Sequence, residues 1–236
     1  MNNEATFSGA CTHLIVGQPT RSEKFLASMA AGKWILKTEY ILESRAAGSF
    51  LEETPFEWAE GARTGASFKD DTERDLALAA RRWRIAIADP HATAIAGGAF
   101  TGWRVVLVCE QQKKDGFMRL LEAGGAQVLL ASTPANLASL RIAPLKEGAI
   151  THAFVGVTLT ADVHAVLRRI VPRKVPLLSH EYIADYLIRD PTPQPNASYI
   201  IREDDGSEQA TMVDDEATLK RRSSRRAQSG SKKSRN

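Results

Sequence analysis

The chain has 236 residues, 43% of them hydrophobic and 25% charged, with a formal net charge of +3. That length suits one large or two small domains, and the apolar share is enough for a packed core. No apolar run reaches the roughly 18 residues of a membrane-spanning helix. The start, MNNEATFSGA, lacks the basic and apolar regions of a secretory signal, so an intracellular protein is expected.

The charge is unevenly placed. Leu219 to Asn236 holds eight Lys or Arg and no acid; without it, 23 basic residues face 28 acidic ones, a net −5. A nucleic-acid footprint takes the form of a basic face on a folded domain, so DNA contact by the body is expected to be weak at most.

In chain order, CTHLIVG (Cys11–Gly17) reads as a short strand, and RSEKFLASMAA (Arg21–Ala31) as a helix ended by Gly32. Thr20 and Glu23 stand in capping-box relation, which predicts the helix start there. KWILK (Lys33–Lys37) follows as a strand and EYILESRAA (Glu39–Ala47) as a helix ended by Gly48. ATF (Ala5–Phe7) is expected to be the remnant of a further strand. Asp75–Ala88 reads as a helix with Leu76, Ala79, Ala80, Trp83 and Ile87 on one face and Pro90 beyond its end.

Then come strand Trp103–Glu110, a helix with Phe117, Leu120 and Leu121 at helical spacing that stops at Gly124, and strand Ala126–Ser132. After a loop follow strand ITHAFVG (Ile150–Gly156), helix Thr160–Val171, strand VPLLS (Val175–Ser179) and helix HEYIADYLI (His180–Ile188). Strands alternating with helices imply an α/β fold with parallel sheets covered on both faces.

Two signals recur with nearly the same separation. Thr-His precedes Glu-Tyr by 27 residues from Thr12 to Glu39 and by 30 from Thr151 to Glu181. The chain is therefore expected to hold two copies of one unit packed in tandem. The expected division is a first unit at 1–58, a linker at 59–100 with a helix at about 75–88, a second unit at 101–190, and a disordered basic tail at 191–236. Measured against the second copy, the first lacks its opening strand and helix, and reads as cut short at its start.

Cys11 and Cys109 each fall in an apolar run, so buried reduced thiols are expected. No Cys/His spacing suggests a metal, and neither a G-x-G-x-x-G nor a P-loop occurs, so no cofactor and no enzymatic activity are expected. The start of the first-unit helix is different. Ser22 offers a hydroxyl and Lys24 a charge where a helix N-terminus already favours anions. At the same offset from Thr-His the second unit has Ala161 and Val163, so the fold does not itself require Ser and Lys.

These motifs, CTHLIVG, RSEKFLASMAAGKWIL and the two EYI segments, resemble the tandem BRCT family over roughly residues 5–190. The resemblance implies a non-enzymatic, phosphoserine- or phosphothreonine-binding scaffold module in the nuclear DNA-damage response. It implies that Ser22 and Lys24 hold the phosphate, that Arg21 holds the peptide backbone, and that Leu26 and Gln112 line the specificity pocket. The family's further Ser/Thr-Gly has no counterpart, since Ser8-Gly9 reads as a loop with no room for the helix that should follow it. Implied partners are a phosphorylated DNA-repair or chromatin protein and an SMC-type repair complex, with no membrane. The alternative is a phospho-independent protein-interaction or weak DNA-binding module. Lys220, Arg221, Arg222, Arg225, Arg226, Lys232, Lys233 and Arg235 form a split basic cluster that reads as a nuclear import signal.

Overall fold

A computed structural model describes residues 6–60, 68–139 and 149–201. The first repeat runs β1 (His13–Ile15), α1 (Glu23–Ala30), β2 (Trp34–Leu36) and α2 (Glu39–Ala47). Helix α3 (Asp71–Ala88) follows. The second repeat runs β3 (Arg104–Cys109), α4 (Gln111–Ala123), β4 (Gln127–Ser132), α5 (Pro134–Ser139), β5 (His152–Gly156), α6 (Ala161–Ile170), β6 (Leu177–Ser179) and α7 (Glu181–Ile188).

The second repeat builds a parallel sheet in the order β4-β3-β5-β6. Side chains of β3 alternate between its faces. Val105, Leu107 and Cys109 join one core with Phe154 and Leu178, while Val106 and Val108 join another with Val155, Leu167 and Ile170. Burial on both faces explains why β3 is an unbroken apolar run. In the first repeat β1 pairs only with β2, also in parallel. By motif β1 corresponds to β5 and β2 to β6. Among the described residues the first repeat thus has no counterpart of β3, as its sequence predicted, and none of β4, of which Ala5–Phe7 is the expected remnant.

Several local expectations need correction. Thr20 does not cap α1; Ser22 does, its Oγ accepting from Phe25 N at 3.4 Å. Thr6 and Phe7 form no strand, although Phe7 packs on the core. Cys11 lies exposed in the loop before β1, which begins two residues later; Cys109 is buried as expected. Helix α3 begins at Asp71 rather than near Asp75, because Asp70 caps it by accepting from Glu73 N at 2.9 Å. Residues 134–139, expected as loop, form α5. The folded body also continues past Asp190. Ser179 N donates to Tyr199 O at 2.7 Å and Ile201 N to Leu177 O at 2.9 Å, adding an antiparallel stretch to β6. Tyr199, 7% exposed, supplies the apolar surface that holds it there.

Helix α3 clasps both repeats through Arg81-Arg82-Trp83-Arg84. Toward the first repeat, Arg84 donates to both carboxylate oxygens of Glu57 at 2.6 and 3.0 Å and stacks 3.6 Å above the Trp34 ring. Arg81 also approaches Glu57, at 3.6 Å. Toward the second, Trp83 Nε1 and Arg82 both donate to Leu187 O at 2.8 Å, and Arg82 donates to Arg189 O at 2.9 Å. These are carbonyls at the end of α7, which a helix leaves without internal partners.

A second tie runs through glycines. Gly98 has φ +127, and a Cβ there would lie 2.6 Å from the backbone of Gly124. The close approach lets Phe100 N reach Gly124 O at 2.7 Å, while Ala99 N donates to Ala30 O of the first repeat at 2.9 Å. One core then includes Phe25, Met29 and Ala30 of α1, Leu76 and Trp83 of α3, and Phe100, Trp103 and Leu121 of the second repeat.

Candidate functional site

The start of α1 combines three features. Ser22 is exposed and extended (φ −68, ψ 153), and its Oγ also accepts from Thr20 Oγ1 at 3.0 Å. Lys24, in the first turn, is half-buried and lines a cleft of about 740 Å³ along β1, with Leu14, Ser28, Lys33 and Phe50 among the other walls. Glu23, the acidic residue of that turn, is turned away onto α4. Arg119 donates to its two oxygens at 3.0 and 2.9 Å, and that hydrogen bonding holds the guanidinium pKa above its ordinary value. The carboxylate next to the helix start is thereby engaged by a cation of the second repeat.

The second repeat is an internal comparison, and the structure corrects its alignment. Helix α6 is capped by Thr160, which accepts from Val163 N at 3.4 Å just as Ser22 accepts from Phe25 N. Ser22 therefore corresponds to Thr160 and Lys24 to Asp162, not to Ala161 and Val163. A fixed offset from Thr-His failed because Ser22 lies five positions after Gly17 but Thr160 only four after Gly156. Both helices need a hydroxyl cap, so Ser22 has a structural reason to be present. The charge is what differs, a cation in α1 and an acid in α6.

Arg21 is exposed and points across the repeat junction, its Nη2 3.5 Å from Glu181 Oε2 and 3.4 Å from Asp185 Oδ1. Leu26 lies one turn inward on α1, 6% exposed and packed in the core. Gln112 lies exposed on the first turn of α4 and donates to Glu110 Oε2 at 3.2 Å. Ser22, Lys24 and Arg21 thus share one helix start, with Gln112 on the neighbouring helix. The basic cluster from Lys220 to Arg235 lies outside the described residues.

Sequence reasoning missed Lys33, whose Nζ donates to Gly9 O at 3.3 Å on the rim of the same cleft, and the partners Arg119, Glu181 and Asp185. Only the repeated Glu-Tyr motif pointed near any of these. The two motif histidines are structural. His13 Nδ1 lies 2.7 Å from Thr12 Oγ1, and His152 Nδ1 lies 2.9 Å from Thr151 Oγ1. His152 stacks on Trp103 with ring centroids 3.9 Å apart, and burial lowers its pKa to about 4. Among the described residues no group of His, Cys, Asp and Glu could hold a metal ion.

Both repeats are matched by BRCT family models, so the chain belongs to the tandem BRCT family. Residues 97–199 match the TopBP1/SLF1 BRCT domain, and residues 3–45 match the BRCA1 C Terminus (BRCT) domain. The chain resembles the SMC5-SMC6 complex localization factor protein 1. It is 40% identical to the Homo sapiens protein over 129 residues, 54% of this chain and 11% of that one. It is 35% identical to the Mus musculus protein over 179 residues, 75% of this chain and 15% of that one. The chain therefore spans only a small part of the length of these relatives. Among solved structures, the BRCT5-BRCT6 domains of S. pombe Brc1 align over 74% of this chain and 85% of that one, at 13% identity and a TM-score of 0.36.

Proposed function

We propose that this chain is a phosphopeptide-binding module of a nuclear DNA-repair scaffold. In this reading it acts by binding rather than catalysis. The phosphate of a phosphoserine or phosphothreonine is held at the start of α1 by Ser22 Oγ and Lys24. The observation that carries the reading is the charge inversion between equivalent helix starts, Lys24 in α1 against Asp162 in α6. A helix N-terminus favours an anion. Lys24 strengthens that preference, Asp162 opposes it, and Arg119 pairs with the competing carboxylate of Glu23.

Arg21 has the forked donor geometry that suits a peptide carbonyl, and Gln112, exposed on the neighbouring helix, is the residue left to meet a ligand side chain, while Leu26 is packed in the core and lines no open pocket among the described residues. The bound partner would be a phosphorylated repair or chromatin protein, in the setting of an SMC-type repair complex. The resemblance to a protein named for localizing SMC5-SMC6 supports that setting. The test is selection by the immobilised full chain from a degenerate phosphoserine peptide library and from the same library after phosphatase treatment. Retention of the phosphorylated library alone is expected; equal retention of both would sink the reading.

A further inference from the structure

We infer that Tyr199 is a positioning residue for Arg21, acting through Asp185. The carboxylate of Asp185, on α7, divides its two oxygens between them. Its Oδ2 accepts from Tyr199 Oη at 2.9 Å and lies 2.8 Å from Arg189 Nη2. Its Oδ1 accepts from Arg21 Nη2 at 3.4 Å. A rotation that carried Oδ1 away from Arg21 would break both contacts at Oδ2, so whatever holds Oδ2 also holds Arg21 in place.

The two anchors of Oδ2 are unequal. The Arg189 side chain is 63% exposed, and an ion pair in that setting is weak. Tyr199 is buried and is fixed independently of Asp185. Ser179 N donates to Tyr199 O at 2.7 Å, Tyr199 N donates to Asn196 O at 3.0 Å, and the phenol ring packs edge-on against Tyr182 with centroids 5.0 Å apart. Tyr182 Oη in turn donates to Pro193 O at 2.9 Å, which ties down the segment that carries Tyr199. Burial and the hydrogen bond to Asp185 hold the phenol pKa above its ordinary value, so the hydroxyl keeps its proton and donates. A buried donor on a fixed backbone is the firmer control on the carboxylate.

The consequence for binding rests on the reading of Arg21 as the contact for a peptide carbonyl. A side chain that is already fixed loses less rotamer freedom when a ligand arrives. The Asp185 side chain is only 15% exposed, against 61% for Glu181, so Asp185 is the firmer of the two acids at Arg21. Both acids approach Nη2, which leaves the other arm of the guanidinium fork for a carbonyl. Asp185 therefore prepares Arg21 for its ligand, and the stretch from Pro193 to Tyr199, which follows the second repeat, controls a contact made by the first.

The test is a double-mutant cycle on the full chain with Tyr199→Phe, Arg21→Ala and the double variant. Phenylalanine keeps the buried ring and removes only the donor. Without ligand, the Arg21 Nε–H signal of nitrogen-15-labelled protein, assigned by its loss in Arg21→Ala, reports side-chain order, which should fall in Tyr199→Phe. With the phosphoserine peptide selected from the library, Tyr199→Phe should weaken binding about two- to tenfold and have no effect in the Arg21→Ala background. Unchanged order at Arg21 would overturn the inference. So would equal weakening in both backgrounds, which would give Tyr199 a structural role that bypasses Arg21. Loss of order at Arg21 in Tyr199→Phe, together with a parent chain that retains no phosphorylated peptide, would uphold the positioning role and sink the functional reading instead.

Discussion

The guanidinium of Arg21 lies 3.4 Å from the carboxylate of Asp185, which joins the residue before the cap of α1 to α7 of the other repeat. Glu181 lies 3.5 Å from the same nitrogen. The residue proposed to hold a peptide backbone is therefore also a tether between repeats. Such pairs, with Arg21 and Glu181 side chains 44% and 61% exposed, are worth about 0–1 kcal/mol. Glu181→Ala should loosen Arg21, which keeps its contact with Asp185, and raise phosphopeptide affinity by no more than about fivefold, as read by calorimetry, while Arg21→Ala lowers it. Weaker binding by Glu181→Ala would instead make the acid a ligand contact.

Glu57 is 3% exposed and accepts from Arg84 at 2.6 and 3.0 Å, beneath the stack of that arginine on Trp34. Removing one partner of a buried ion pair leaves the other charge uncompensated. Glu57→Ala should therefore cost about 3–5 kcal/mol of unfolding free energy. Urea titration followed by far-ultraviolet dichroism measures this; a loss under about 1 kcal/mol, typical of a surface pair, would mean that the arginines are held by other contacts.

His152 gives the stability a pH dependence of known sign. Its folded pKa is lowered from 6.5 to about 4 by burial. The native state therefore holds the neutral ring, and the unfolded chain takes up a proton below about pH 6.5. Stability from this group is complete above that pH and is lost as pH falls toward 4, by about 3 kcal/mol at most. His152→Phe keeps an aromatic ring on Trp103 and cannot titrate, so its melting temperature should fall less than that of the parent between pH 6.5 and 4. Parallel pH profiles would show that the histidine does not carry the effect.

The two-repeat layout was legible because its signals are local and doubled: Thr-His before a strand, Glu-Tyr opening a helix, and apolar runs of sheet length. That β1 pairs with β2 alone among the described residues was legible as a deficit against the second copy. What escaped was set by single hydrogen bonds. The cap moved from Thr20 to Ser22, and the counterpart of Lys24 moved from Val163 to Asp162, because a one-residue difference in loop length is invisible until the caps are superposed. Arg81 to Arg84 read only as part of the helix expected at Asp75–Ala88, with Trp83 on its apolar face. Their roles depend on Glu57 and Leu187, which are distant in sequence and adjacent only once both repeats fold. Tyr199 and Ile200 were too short an apolar signal after a proline-rich stretch to announce an added strand segment.

The basic cluster at Lys220–Arg235 is expected to direct the protein to the nucleus. Deletion of residues 219–236 from a fluorescent fusion should abolish nuclear enrichment in imaged cells. Undiminished enrichment would assign import to another segment or to a partner.

The most direct test of the central claim is the affinity of one phosphoserine peptide, selected from the library, for the parent chain and for Lys24→Met by calorimetry. Loss of a charge-assisted contact worth about 1.5–3 kcal/mol predicts a drop of about 10- to 150-fold. Thermal stability should fall far less than affinity, because Met keeps the aliphatic stem of the half-buried Lys24. The unphosphorylated twin should bind neither protein. Equal affinity of the two proteins for the phosphorylated peptide would contradict the assignment of Lys24 as the phosphate contact.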